Sequence, residues 1–462
     1  MHKVLPSNDE QYQSFWVKDT AFYRQLLLLA LPMVLQNLIT FGVVFSDNVM
    51  VGRLGDLAIS GLYLGSLVQT VLQILIFGIE STLLILAAQY WGRHDCRRIK
   101  MVSSIGMRIT LIFTLLIALC STLFPYWLIG CLTPDSGAIA EGGAYLQIVG
   151  FSYIFFAISQ ILIVTMRSVE VVSIGLINSI TAFCVNVFLN YVLIFGLFGL
   201  PALGVRGAAL ATVISRMVEC AVVVYFVIKI DRRLRMRIQD FKRWDPLIFR
   251  DLVKYGMPLM LGQLVWAFNN VLQSRVIGQL SRSAITAASV TGMLDRLLWM
   301  GTWGIAAATG IMVGKAIGGG EFAKVRQYAK TMQAVFLGIG LVSAMLICFG
   351  HKLFLKFYNL SPESYRMTEE FMLVLGVIII GRCYQAPSLF GLVKSGGDTA
   401  FVFKNDTFWV FCWILPLSLL GLHLNWAPWL IFGILLSDQI MKCFVALIKI
   451  NRFNWMKNLT RN

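Results

Sequence analysis

Charge is what this sequence lacks most. Asp, Glu, Lys and Arg make up 13% of its 462 residues, about half the ~25% typical of a soluble domain. A water-facing surface of this size cannot be coated with so few charges, whereas 58% of the residues are hydrophobic. Metal and disulfide chemistry are also missing. The nine cysteines are an odd number with no CxxC pair, and Cys120, Cys184, Cys220, Cys348, Cys412 and Cys443 sit inside apolar runs. The four histidines are far apart, so neither a zinc site nor a disulfide framework has support. No His–acid or paired-acid motif stands in the loops, and there is no extramembrane domain to carry chemistry. Together with the composition, these absences exclude a disordered chain, a disulfide scaffold and a cytosolic enzyme, leave no cofactor expected, and point to an all-α polytopic membrane protein.

The charges that are present are placed unevenly. A net charge of +16 comes largely from four clusters. The first holds Arg93, Arg97, Arg98 and Lys100; the second Lys229, Arg232, Arg233, Arg235, Arg237, Lys242 and Arg243. Lys315, Lys324, Arg326 and Lys330 form the third, and Lys449, Arg452, Lys457 and Arg461 the fourth. All lie between or after apolar runs, where the positive-inside rule places cytoplasmic loops. Their expected partner is anionic inner-leaflet lipid, not nucleic acid.

A helical crossing needs roughly 20 apolar residues. Twelve such runs occur, near 25–51, 58–90, 102–127, 143–165, 172–195, 207–229, 252–277, 284–314, 329–349, 370–392, 400–421 and 427–448. Loops at 126–140 and 421–428 have no Lys or Arg; the loop at 351–366, with Lys352, Lys356 and Arg366, is a mild exception. Both termini are expected in the cytoplasm, with the protein in the inner membrane. The first apolar stretch is too long for a signal-peptide core and is expected to be retained. The expected organisation is a cytoplasmic segment 1–24, a first lobe 25–230, a linker 231–251, a second lobe 252–450 and a tail 451–462.

The two lobes resemble each other. A shift of 226 residues superposes Pro32 on Pro258, Leu35 on Leu261, Gly52 on Gly278, Leu54 on Leu280 and Ala58 on Ala284. Gly78-Ile79 then falls on Gly304-Ile305, and Gly92 on Gly318. With six crossings each, both halves enter from the same side, as in transporters built from parallel repeats.

An ionisable group at membrane depth costs at least about 2.5–3.5 kcal/mol on insertion scales and is a functional candidate by default. Asp47 is the only charge between Gln25 and Gly52, and Gln36, Thr40 and Asp47 fall within about 40° on a helix. In the second span Gln69, Gln73 and Glu80 share a face. Glu80 either lines a polar cavity or pairs with a base such as Arg108 or Arg167. Asn178, Asn186 and Asn190 share a sector of the fifth span, as helix glue or cavity lining. In the second half Gln263, Trp266, Asn270 and Gln273 align on the seventh span. On the eighth, Asp295, Trp299 and Trp303 put a carboxylate above two indoles. That face suits a flat organic cation or, on the plainer reading, packs while Arg296 takes part in an ion pair. Met257, Met260 and Met300 accompany these aromatics in what is either an adaptable pocket or ordinary packing.

Several stretches resemble the multidrug and toxic compound extrusion (MATE) family. Asp47-Asn-Val-Met-Val-Gly-Arg-Leu-Gly55 is similar to the end of its first span. Asn186-Val-Phe-Leu-Asn-Tyr-Val-Leu-Ile-Phe-Gly196 with Gly204-Val-Arg-Gly-Ala-Ala-Leu-Ala-Thr212 resembles its fifth-to-sixth-span signature, and Lys394-Ser-Gly-Gly-Asp-Thr399 its motif after the tenth span. The resemblance implies twelve helices in two six-helix lobes forming a V around a cavity. It also implies a monomeric antiporter that exports amphipathic, often cationic, drugs in exchange for H+ or Na+. The family's first-span aspartate falls on Asp47 and its fifth-span asparagine on Asn186. A proton would reside on Asp47; a sodium ion would take Asp47 and Asn186, with oxygens from Gln36, Thr40 and Asn190. This chain has Asn190 where one branch has an acid. It has Gln263 or Trp266, and Cys383, where another branch has acids. A lipid-linked flippase of the same superfamily is the alternative, for which Arg275, Arg296 and Arg382 are the available cationic residues.

Overall fold

The computed structural model describes residues 14–461, so the first thirteen residues of the expected N-terminal segment and Asn462 lie outside the described residues. No strand occurs among the described residues. The first half holds α1 (Thr20–Gly52), α2 (Asp56–Gly92), α3 (Cys96–Leu123), the short α4 (Pro125–Gly130), α5 (Ser136–Val149), α6 (Ser152–Ser168), α7 (Ser173–Phe195) and α8 (Gly204–Tyr225). The second holds α9 (Pro246–Gly278), α10 (Arg282–Gly318), α11 (Phe322–Leu355), α12 (Pro362–Ala386), α13 (Thr399–Trp409), α14 (Leu415–His423), α15 (Pro428–Leu436) and α16 (Asp438–Asn451).

Among the described residues, ten helices, some with their π-turn extensions, are long and apolar enough to cross a membrane, and α5 with α6, bent by 52°, has the length and composition of an eleventh when counted as one span. α9, read from the sequence as the seventh span, is as long as α1 but is diluted by Gln263, Asn269 and Asn270 in its middle. Pro125 ends the third crossing earlier than the apolar run suggests, because a proline lacks the amide that would continue the ladder and opens α4 instead. Three of the described spans contain widened π turns, Phe226–Ile230 after α8, Pro387–Val393 after α12 and Val410–Ile414 after α13.

Packing divides the described chain into two compact units, residues 35–260 and residues 14–34 with 261–461. The changeovers fall inside α1 and α9 rather than in the 231–251 linker, each two residues after the repeat-related Pro32 or Pro258. Thr20–Val34 therefore belongs with the second half, and Pro246–Met260 with the first. Repeat-related glycines make room for these segments. A Cβ on Gly78 would lie 3.2 Å from Met260 Cα, and one on Gly304 3.3 Å from Val34 Cα. Small residues are what allow helix backbones to approach so closely in a membrane.

Two polar straps complete the units. The linker lies on α3, where Ser104 Oγ donates to the Phe241 and Arg243 carbonyls and Arg108 donates to the Phe241 carbonyl at 2.9 Å. Asp240 anchors it through Lys100 at 2.9 Å and Arg243 at 2.8 Å. Burial acts to raise the Asp240 pKa, but the Lys100 hydrogen bond, the Arg237 amide and the two cations outweigh it and hold the carboxyl below its ordinary value. At the other end, Lys457 N donates to the Gly396 carbonyl at 2.9 Å and fully buried Trp455 packs on Gly396. Asp398 ties this strap to α16 through Lys457 at 3.1 Å and Lys449 at 2.7 Å.

Trp455→Ala is expected to cost about 3–5 kcal/mol, as truncation of a buried tryptophan does, seen as a lowered Tm in detergent. Since the pKa of Asp240 is depressed, its stabilisation is present above the unfolded-state value and lost as pH falls through the folded one. Asp240→Asn should speed proteolysis of the linker at neutral pH, and the difference from wild type should fade as the medium is acidified.

Candidate functional site

The polar residues of the first half separate into two groups. In the first, α7 turns Asn178, Asn186 and Asn190 inward, each at most 1% exposed. Asn190 Nδ2 donates to Asp47 Oδ1 at 2.5 Å and to Asn186 Oδ1 at 3.1 Å. The Asn190 carbonyl oxygen is buried without a hydrogen-bond partner. Asp47 itself is only half-buried. On α8, Arg216 pairs with Glu219 at 2.6 Å, and Asn178 Nδ2 donates to the same carboxylate at 2.8 Å. The Arg216 guanidinium sits 4.7 Å from the centre of the Phe156 ring, and its charge reaches Asp47. One cation thus serves two carboxylates.

Gln36 and Thr40 are not in this group. The exposed Thr40 hydroxyl donates to the Gln36 carbonyl of its own helix at 2.9 Å, so the polar stripe of α1 stops short of Asp47. The Gln36 amide instead accepts from Arg167 at 2.7 Å. Glu80 lies near Arg167 and Gln160, with Oε1 buried and lacking a hydrogen bond. Of the two bases that spacing offered Glu80, Arg108 is spent on the linker carbonyl of Phe241. Gln69 is half-buried and Gln73 exposed.

In the second half Asp295 has its own cation, and it is not Arg296, which is exposed. Arg382 of α12, 1% exposed, hydrogen-bonds and ion-pairs with Asp295. Its guanidinium lies 4.8 Å from the Trp299 ring centre, and Trp299 stacks on Trp303 at 5.8 Å. The face expected to receive a flat organic cation is occupied by one built into the protein. On α9, Gln273 donates to the Leu435 carbonyl at 2.9 Å, Trp266 is exposed, and Gln263 and Asn270 are half-buried.

Sequence reasoning missed the Arg216–Glu219 pair and a second buried cluster of Asp406, Asp438 and Lys442. The repeat carried the signal, because Arg216 and Lys442 are related by the same 226-residue shift that aligns the prolines. Among the described residues no group of three or more His, Cys, Asp or Glu is arranged to hold a metal ion. Breaking a buried pair by removing one partner costs about 3–5 kcal/mol. Arg382→Met should therefore lower the Tm strongly, and adding Asp295→Asn should recover most of the loss. A double variant no more stable than Arg382→Met would refute the pairing.

A sequence profile of the MatE family matches residues 32–192 and 258–408, more than half of the chain in two copies that start at the repeat-related prolines. The chain is 27% identical over 473 aligned positions to a probable multidrug resistance protein NorM of Rhodopseudomonas palustris, covering 96% of this chain and 94% of that protein. It is 29% identical to a protein of the same description from Bradyrhizobium diazoefficiens, over 70% of this chain and 69% of that one. Among solved structures, the Vibrio cholerae MATE transporter VcmN in its bent form shares the fold. Its TM-score is 0.85 at 18% identity, covering 94% of this chain and 97% of that one. An all-α multi-pass membrane protein with a duplicated MatE sequence, this chain belongs to the MATE family of transporters.

Proposed function

We propose that the chain is a secondary active multidrug efflux antiporter that exports amphipathic, cationic organic compounds in exchange for protons. It would act as a monomer in the inner membrane with both termini in the cytoplasm. The NorM relatives, named as probable multidrug resistance proteins, support the substrate class. The observation that carries the coupling is Asp47 held by Asn190, which in turn is held by Asn186.

Asp47 is the exchangeable group because it is the half-buried carboxylate of a cluster whose three asparagines and Glu219 are buried. Its neighbour presents an amide nitrogen, a donor, which steadies a carboxylate. That is less apt for a sodium cage, which needs oxygens converging on the ion. Proton arrival removes the charge that Asn190 and Arg216 stabilise, so the preference of α1 for its place against α7 and α8 weakens. Pro32, lacking an amide, is where α1 can bend in response. One positive charge entering down 100 mV supplies about 2.3 kcal/mol, enough to shift a two-state equilibrium by more than tenfold.

At the basic linker and the start of α3, the exposed Arg97 supports contact with anionic lipid, bordering an open pocket of about 480 Å³ beside Lys100 and Arg243, which are paired with Asp240. The flippase alternative loses its best residue, because the charge of Arg382 is already spent on Asp295.

Reconstituted in proteoliposomes, the protein should extrude ethidium when a pH gradient is imposed and fail to do so with a sodium gradient alone. Asp47→Asn should bind ethidium yet lose pH-driven transport. Undiminished efflux by a normally inserted Asp47→Asn protein would end the assignment, and transport driven only by sodium would replace the ion.

A further inference from the structure

The second half contains a buried charge cluster that the Asp47 mechanism does not use. Lys442 Nζ of α16 lies 2.8 Å from Asp406 Oδ1 of α13 and 2.9 Å from Asp438 Oδ2, one turn back on α16. Side-chain exposure is 8% for Lys442, 4% for Asp438 and 16% for Asp406, so Asp406 is the least buried of the three. With both carboxylates ionised the cluster carries one uncompensated negative charge. Asp406 lies seven residues into its helix from Thr399, roughly 10 Å of rise.

The two carboxylates are not equally supported. Gln439 Nε2 reaches both oxygens of Asp438 at 3.1 Å, and Gln385 Nε2 of α12 fixes the Gln439 carbonyl at 2.7 Å. Asp438 is therefore served by an ammonium and an amide, Asp406 by the ammonium alone. The charges that bear on Asp406 come from Lys442 and Asp438. α12 carries the neutral Gln385 and, three residues before it, Arg382, whose charge is committed to Asp295, and the π turn that follows α13 brings no charge. Gln385 Oε1, on a side chain 2% exposed and hydrogen-bonded into this chain of contacts, has no partner, and neither does the fully buried Ser388 hydroxyl.

Two further observations mark the place. α12 widens into its π turn two residues after Gln385, and α13 does so four residues after Asp406. Such bulges gather at functional sites. Lys442 is also the repeat counterpart of Arg216, the cation that serves Glu219 and Asp47 in the first half. Each half therefore sets one cation on its last span, Lys442 ion-paired with two carboxylates and Arg216 with Glu219 while its charge also acts on Asp47.

We propose that Asp406 is a second proton-binding carboxylate, lodged wholly within the second half, which takes up one proton while Asp438 stays paired with Lys442. Its part in turnover rests on the antiport reading above. Proton binding itself belongs to the resting protein and is measured without transport.

The test is a pH titration of the full-length protein in nanodiscs, followed by infrared difference spectroscopy of the carboxylic acid C=O stretch in H2O and D2O. Asp406→Asn should lose one deuterium-sensitive band that Asp438→Asn retains, whereas Asp47→Asn should lose a different one. Asp406→Asn leaves Lys442–Asp438 a neutral pair, and folding is checked by gel filtration. Should it aggregate, Asp406→Glu should shift the same band. Retention of every band in Asp406→Asn, or an unshifted band in Asp406→Glu, overturns the proposal. Loss of the band on Asp406→Asn in a protein that shows no pH-driven ethidium transport would leave this site standing and remove the antiporter reading instead.

Discussion

A charge held among hydrocarbon chains has to be answered by an opposite charge or by aligned dipoles, and this requirement organises the interior of the molecule. Arg382 meets Asp295 and the face of Trp299. Arg216 meets Glu219 with help from Asn178. Lys442 lies between two aspartates. Each answer recruits a different helix, so satisfying the charges also fixes which helices are neighbours. Asp47 and Asp406 stand out against that background because each shares its cation with a better-supported carboxylate. A protein that needed only stability would replace such clusters with apolar side chains at little cost.

The fold was largely legible because hydrophobic runs and loop charge report directly on lipid contact. α2 and α7 start and end within two residues of the limits that hydropathy suggested. What escaped was set by tertiary partners. α9 looked like an ordinary span, yet its Gln263, Asn269 and Asn270 make it more polar than its repeat mate α1. Helical periodicity placed Gln36, Thr40 and Asp47 on one stripe, but Thr40 turned its hydroxyl to its own backbone and Gln36 went to Arg167. A projection fixes the angle of a side chain and says nothing about which neighbour competes for it. Asp295 shows the same limit, since its cation came from 87 residues away rather than from the adjacent Arg296.

The stretch from Lys394 to Thr399, noticed for its family resemblance, has a local structural reason. Gly396 receives the Trp455 ring and Lys457 backbone, Gly397 adopts a left-handed φ of 87°, and Asp398 binds two lysines. Burial raises the cost of the Asp398 charge, but the bonds from Lys449 and Lys457 prevail and keep its pKa below the usual carboxylate range. The motif is thus the socket for the end of the chain.

The changeover after Pro32 and Pro258 bears on the origin of the duplication. Each compact unit is completed by the opening stretch of the other half's first long helix, packed on Gly78 or Gly304. A half-length progenitor would have lacked that piece in its own core and left a glycine-lined groove bare. Two copies lending their leading helices to each other would have filled both grooves. Fusion of two such genes would make an exchanged dimer permanent, and would free the twin sequences to diverge in their ionisable residues.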